Sequence, residues 1–168
     1  MSLRIYIADY DERWPALYRE VSRSLVEAFG DYACEMQHVG STSVPGLGAK
    51  PIIDIAVNLR DYPLPQNVIE AMEALGYTHM GEYGIAGRHY FKRYSDDGLM
   101  VHVHAYSPGN EEWASHLLFR DYLRAHPEAA RDYESLKRDL AAKYADQREV
   151  YTESKTNFVQ EILRRASG

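Results

Sequence analysis

Residues 52–57, Ile52-Ile53-Asp54-Ile55-Ala56-Val57, constrain the fold more than any other stretch of the chain. The β-branched side chains favour extended backbone and need cover on both faces, which marks an interior strand. The strand is expected over residues 51–59. One carboxylate, Asp54, stands inside it. An acid among isoleucines must be paired, hydrogen-bonded or metal-bound, or it must sit at an open cleft. The next position on its face is Ala56, which carries no charge.

The approach to this strand is Gly40-Ser41-Thr42-Ser43, fed by a short strand over residues 34–39. Small residues let backbone N–H groups come close to a phosphate, and the three hydroxyls add donors. Lys50 adds a positive charge at the end of the loop. The GK[ST] ending of a Walker loop is missing, and the spacing is not that of a dinucleotide fingerprint. Alone, the segment reads better as a loop of turn-forming residues; Asp54 downstream turns the balance towards a site.

"VHVHAY" places His102 and His104 on one face of a second strand, because side chains alternate with a period of two. With Asp54 from a neighbouring strand they would form a 2-His-1-carboxylate metal set. The same residues would also serve one metal beside a phosphate, a general base, or plain hydrogen bonding. His38, His79, His89, His116 and His126 have no such company and read as ordinary. Arg88, Tyr90 and Lys92 share a strand face, with Arg88 the expected phosphate contact and Lys92 and Arg93 read as solvated. Tyr151 and Lys155, four apart, share a helix face that would stack on a base and reach a phosphate.

Around these motifs the chain alternates strands and helices, then becomes wholly helical. Arg4 to Ile7 alternates weakly, as an edge strand would. A helix capped near Asp11 runs to Phe29 with Trp14, Leu17, Val21, Leu25 and Phe29 on one stripe, and Gly30 ends it. Pro63 and Pro65 open another helix, closed by Gly76. Strands over 87–94 and 99–106 flank "SDDG", a hairpin turn. From Glu111 no glycine appears until Gly168, and Pro127 and "YADQRE" divide this part into about three helices. Phe119, Leu123, Tyr133, Leu136 and Leu140 are expected inside. The fold class is α+β: one domain, with a sheet-containing core over 1–108 and a helical part over 109–168.

Charge and composition bound the function. With 19 Lys and Arg against 25 Asp and Glu, the net charge of −6 argues against general binding to nucleic-acid backbones. It leaves room for a basic pocket that takes one phosphorylated molecule. The single cysteine, Cys34, excludes internal disulfides and Cys-rich zinc sites. No apolar run of membrane-spanning length and no signal-peptide pattern are present, so a reduced cytoplasm is the expected setting.

"HVGSTSVPGLGAKPIIDIAV" resembles the signature of the GrpB family (UPF0157), related to the nucleotidyltransferase superfamily. The likeness continues through "GRHYFKR", "VHVHAY", "FRDYLRAHPEAARDYESLKRDLAAKY" and "YTESKTNFVQEIL". It implies a nucleotidyltransferase-like mixed sheet with flanking helices. It also implies a Gly-Ser turn at Gly40 and Ser41 that holds phosphates, and Asp54 as the first of two metal-binding acids. Ala56 stands where the second acid belongs, so at most one divalent ion (Zn, Mn, Ni or Mg) is expected, on Asp54, His102 and His104. Two functions follow: nucleotidyl transfer to a small acceptor, or non-catalytic binding of a nucleotide or coenzyme A-type ligand. The second is suggested too by GrpB-like domains fused to dephospho-CoA kinase.

Overall fold

The computed structural model describes residues 4–95 and 98–168. Helix α1, Trp14–Phe29, buries Trp14, Val21, Leu25 and Phe29, with Leu17 half-buried on the same stripe. Asp11 accepts a hydrogen bond from the Arg13 N–H at 2.8 Å just ahead of it. Gly30, at φ 54°, takes a backbone conformation that ends the helix. Then follow β1 (Ala33–Val39), β2 (Ile52–Leu59), α2 (Gln66–Ala74), β3 (Thr78–His79), β4 (Arg88–Tyr94) and β5 (Met100–Tyr106). Helices α3 (Glu111–Ala125), α4 (Pro127–Lys143) and α5 (Arg148–Ser167) complete the chain. No helix among the described residues is long and apolar enough to cross a membrane.

The strands form one mixed sheet in the order β1-β2-β5-β4-β3. β2 and β5 run parallel, and the other neighbours are antiparallel. The Ile-rich strand is interior, as its composition requires. Its Ile53, Ile55, Val57 and Leu59 pack with Phe91, Val101, Val103 and Ala105 under α1 and α2. The opposite face, carrying Asp54, Tyr90, His102 and His104, looks towards the helical part.

That helical part shares its core with the sheet-containing part. Val44 and Leu47, from the loop after the Gly-Ser turn, are buried among Leu123, Ala129, Tyr133 and Ile162. Phe119, Leu136 and Leu140 are only half-buried, while Lys137 occupies a fully buried position of α4. One more expectation needs correction. Arg4 to Ile7 adds no strand to the sheet: Ile5 donates to the Ala145 carbonyl at 2.8 Å and packs on Ala141 and Tyr151, so its apolar side chain serves the helical part. Only Ala8 bridges, to Ala49. The two-residue β3 has too little sequence to show a period. At the expected hairpin, Asp96 and Asp97 lie outside the described residues.

Candidate functional site

The register of the sheet assembles the site. Val39 pairs with Asp54 across β1 and β2, so Gly40 arrives directly against the Asp54 carboxylate. Asp54 pairs with His102 and Ala56 with His104 across β2 and β5. Asp54 Oδ1 lies 3.0 Å from His104 Nε2 and 3.7 Å from His102 Nδ1. Asp54, His102 and His104 are therefore brought together in one place.

Arg88 fixes the state of His104. Its guanidinium lies 3.2 Å from His104 Nδ1, and arginine has donors only. Nδ1 must accept, so the proton of a neutral ring sits on Nε2 and points at Asp54. Arg88 is buried and also donates to the carbonyls of Glu82 and Tyr83. Its charge is anchored to the fold and reaches the site through His104. Although burial pushes the Asp54 carboxyl up, the His104 hydrogen bond and the neighbouring imidazoles outweigh it and hold the group well below the usual range. Burial pushes His102 and His116 down to about 4, so both are neutral at pH 7.

The expected three-ligand metal set is not assembled in this arrangement. Both nitrogens of His104 are engaged, and among the described residues no three His, Cys, Asp or Glu are grouped to hold a metal ion. At the second-acid position the Ala56 methyl group is wholly buried with Val39 and Tyr106, covered by Trp113 and Leu117 of α3.

Asp54, His102 and His104 line a cleft of about 520 Å³ together with several basic side chains. That volume is typical of small-molecule sites. Lys50, Lys137, Arg148 and Lys155 line it, and among the described residues none of them has a carboxylate partner at ion-pair distance. The ammonium groups of Lys50 and Lys155 lie 4.9 and 5.1 Å from the ring of buried Tyr151. Burial, with Lys155 and Arg148 nearby, lowers Lys50 to about 8. Lys137, 2% exposed, donates to the Gly48 carbonyl at 2.7 Å, and burial beside Lys155 lowers it to about 7.

The Gly-Ser turn contributes less through its hydroxyls than its composition suggests. Thr42 donates to the Ile52 carbonyl and accepts from His38 Nε2, both at 2.9 Å. Ser43 donates to the Gly40 carbonyl, while Arg124 holds the Ser43 carbonyl. Ser41 lines the cleft, within hydrogen-bonding reach of Tyr133. Lys92 and Tyr90 also line it.

Among the lining residues not expected from the sequence, His116, Lys137 and Arg148 carry ionisable nitrogens. His116 of α3 packs its ring 5.2 Å from that of His104 and bonds the Tyr106 hydroxyl at 2.8 Å. No local pattern marks it. Lys137 carried a signal: with Tyr133 and Ala141 it lies on the four-residue apolar spacing of α4, where a lysine needs a reason. Arg148 opens α5 and looks like any exposed helix residue.

A family model described as GrpB protein matches residues 4–165. The UPF0157 protein YqkA of Bacillus subtilis (strain 168) is 41% identical over 157 residues, covering 94% of this chain and 46% of YqkA. A dephospho-CoA kinase of Mycolicibacterium paratuberculosis is 28% identical over 181 residues, covering 93% of this chain and 44% of the kinase. The chain thus spans less than half the length of these two relatives. The crystal structure of GrpB from Enterococcus faecalis superposes with a TM-score of 0.89 at 34% identity, covering 96% of each chain. The Cid1 poly(U) polymerase, in its MgGTP-bound form, matches with a TM-score of 0.54 at 14% identity over 84% of this chain and 45% of its own. That likeness is one of fold alone: a mixed sheet flanked by helices. By its family model and its close structural match, the chain belongs to the GrpB family.

Proposed function

We propose that the cleft binds a nucleotide, or another phosphorylated small molecule, with its phosphates on the lysine wall and its reactive end at Asp54. One observation carries the reading. Lys50, Lys137, Arg148 and Lys155 line one cleft with the Asp54 carboxylate, and among the described residues these four have no ion-pair partner. Like charges crowded in a partly desolvated site repel one another, so an anion there relieves a cost already built into the fold.

Asp54 is the one protein carboxylate lining this cleft among the described residues. A divalent ion at this place would take Asp54 and complete its shell from phosphate oxygens, a mode that suits Mg²⁺ better than an imidazole-rich set would. Such an ion would supply Lewis-acid stabilisation of phosphate charge. Nucleotidyl transfer to a small acceptor with one ion is the catalytic form of this reading. The buried Ala56 favours the alternative, a non-catalytic module for a nucleotide or coenzyme A-type ligand. The likeness to a dephospho-CoA kinase agrees with the latter. Either form suits a cytoplasmic protein with Cys34 reduced.

Thermal shift against a nucleotide and coenzyme A panel, with and without Mg²⁺, Mn²⁺, Ni²⁺ and Zn²⁺, tests the reading, because a ligand of the folded state raises Tm by mass action. Ser41→Ala should weaken the best ligand without lowering the Tm of the free protein. No shift with any phosphorylated compound would overturn the proposal.

A further inference from the structure

Beside the cleft lies a second, smaller cavity of about 150 Å³, walled by Tyr6, Pro51, Tyr94 and Met100. Lys50 and Arg148 line both spaces, so the two are neighbours across these cations. Arg4 adds a third positive charge to the rim. Among the described residues no acid lines this cavity, and Arg4 and Arg148 have no ion-pair partner there.

Size, surface and charge each restrict what fits. A cavity of about 150 Å³ has room for about one benzene ring. Tyr6 and Tyr94 are 58% and 55% exposed, offering flat faces of the kind that stack on a ring. The rim asks for negative charge on the same molecule.

We infer that this cavity is a subsite for a second ligand, a single aromatic ring bearing a carboxylate or phosphate. Its role as the place of a co-substrate rests on the nucleotide reading of the neighbouring cleft; the capture of the ring does not. Lys50 and Arg148 would then face anionic groups from both sides, so each ligand screens these cations for the other. Pyrophosphate in the cleft should weaken the ring's binding.

The test is an NMR titration of the ¹⁵N-labelled protein with phenyl phosphate and benzoate, with benzylamine and inorganic phosphate as controls. Shifts are expected at the amides of Tyr6, Ile52 and Met100 with either ring anion, and benzylamine should leave them unmoved. The stronger of the two anions tells carboxylate from phosphate recognition. Tyr94→Ala should weaken binding about ten-fold, as loss of an aromatic anchor does. Tyr94 is largely exposed, so its truncation spares the core; Arg148→Gln is a second variant that should weaken the anion. Equal binding of benzylamine, an unchanged affinity in both variants, or no shift at these amides overturns the subsite. ATP failing where phenyl phosphate binds would remove the nucleotide reading and leave the subsite standing. The reverse result would do the opposite.

Discussion

Gly40 and Asp54 pack backbone against carboxylate: a Cβ on Gly40 would stand 2.5 Å from Asp54 Oδ2. Gly40 also has φ 73°, where a side chain is strained. The glycine of the Gly-Ser turn is therefore a fitting for the acid that follows. Gly40→Ala should destabilise the fold by about 1–3 kcal/mol and displace Asp54. Urea unfolding reads the first effect, and ligand-induced thermal shift reads the second. Wild-type stability in this variant would show that the turn relaxes freely.

Arg88 should hold His104 in the Nε2–H tautomer. Long-range ¹H–¹⁵N correlation on the histidine rings measures this directly. Arg88→Gln should mix the tautomers and cost about 1–3 kcal/mol, because the carbonyls of Glu82 and Tyr83 lose their buried donor. A clean Nδ1–H tautomer in the wild type would contradict the assigned relay to Asp54.

Lys137 should make stability rise with pH. Its ammonium titrates near 7 in the fold, against 10.5 in the unfolded chain. Between these values the unfolded state binds the extra proton, so unfolding becomes harder as pH rises from about 7 to about 10. Below 7 both states carry the charge and the burial cost is fully felt. Lys50, lowered to about 8, acts in the same direction over a narrower range. Lys137→Met should flatten this part of the profile. Anion affinity of the wild type should run the other way, strengthening as pH falls through about 7 and Lys137 becomes charged. Paired unfolding and phosphate-binding titrations over this range check both signs.

Restoring the second acid should fail. Ala56→Asp places a carboxylate among Val39, Tyr106, Trp113 and Leu117, where the arginines nearest its cross-strand partners, Arg88 and Arg120, are already engaged by His104 and by Gln37. The uncompensated buried charge should cost on the order of 3–5 kcal/mol, measured by chemical denaturation. A stable variant that takes up two Mg²⁺ equivalents in calorimetry would show that the cleft extends further than the packing of α3 allows.

By itself the sequence determined the elements and their faces. The β-branched run made residues 52–59 an interior strand, and period two put His102 with His104. The stripe from Trp14 to Phe29 and the glycine-free tail set the helices. These are local consequences of backbone sterics and side-chain periodicity, so they are visible in short windows. Tertiary structure alone decided which groups meet. The parallel pairing of β2 with β5 set Asp54 beside both histidines, and the antiparallel pairing of β1 with β2 set Gly40 on Asp54. The packing of α3 to α5 over that face brought His116, Lys137 and Arg148 to the cleft, and carbonyls of Ile52 and Gly40 took up the Thr42 and Ser43 hydroxyls. Such contacts join residues dozens of positions apart, and the energy that selects them belongs to the closed core. No window of sequence contains it.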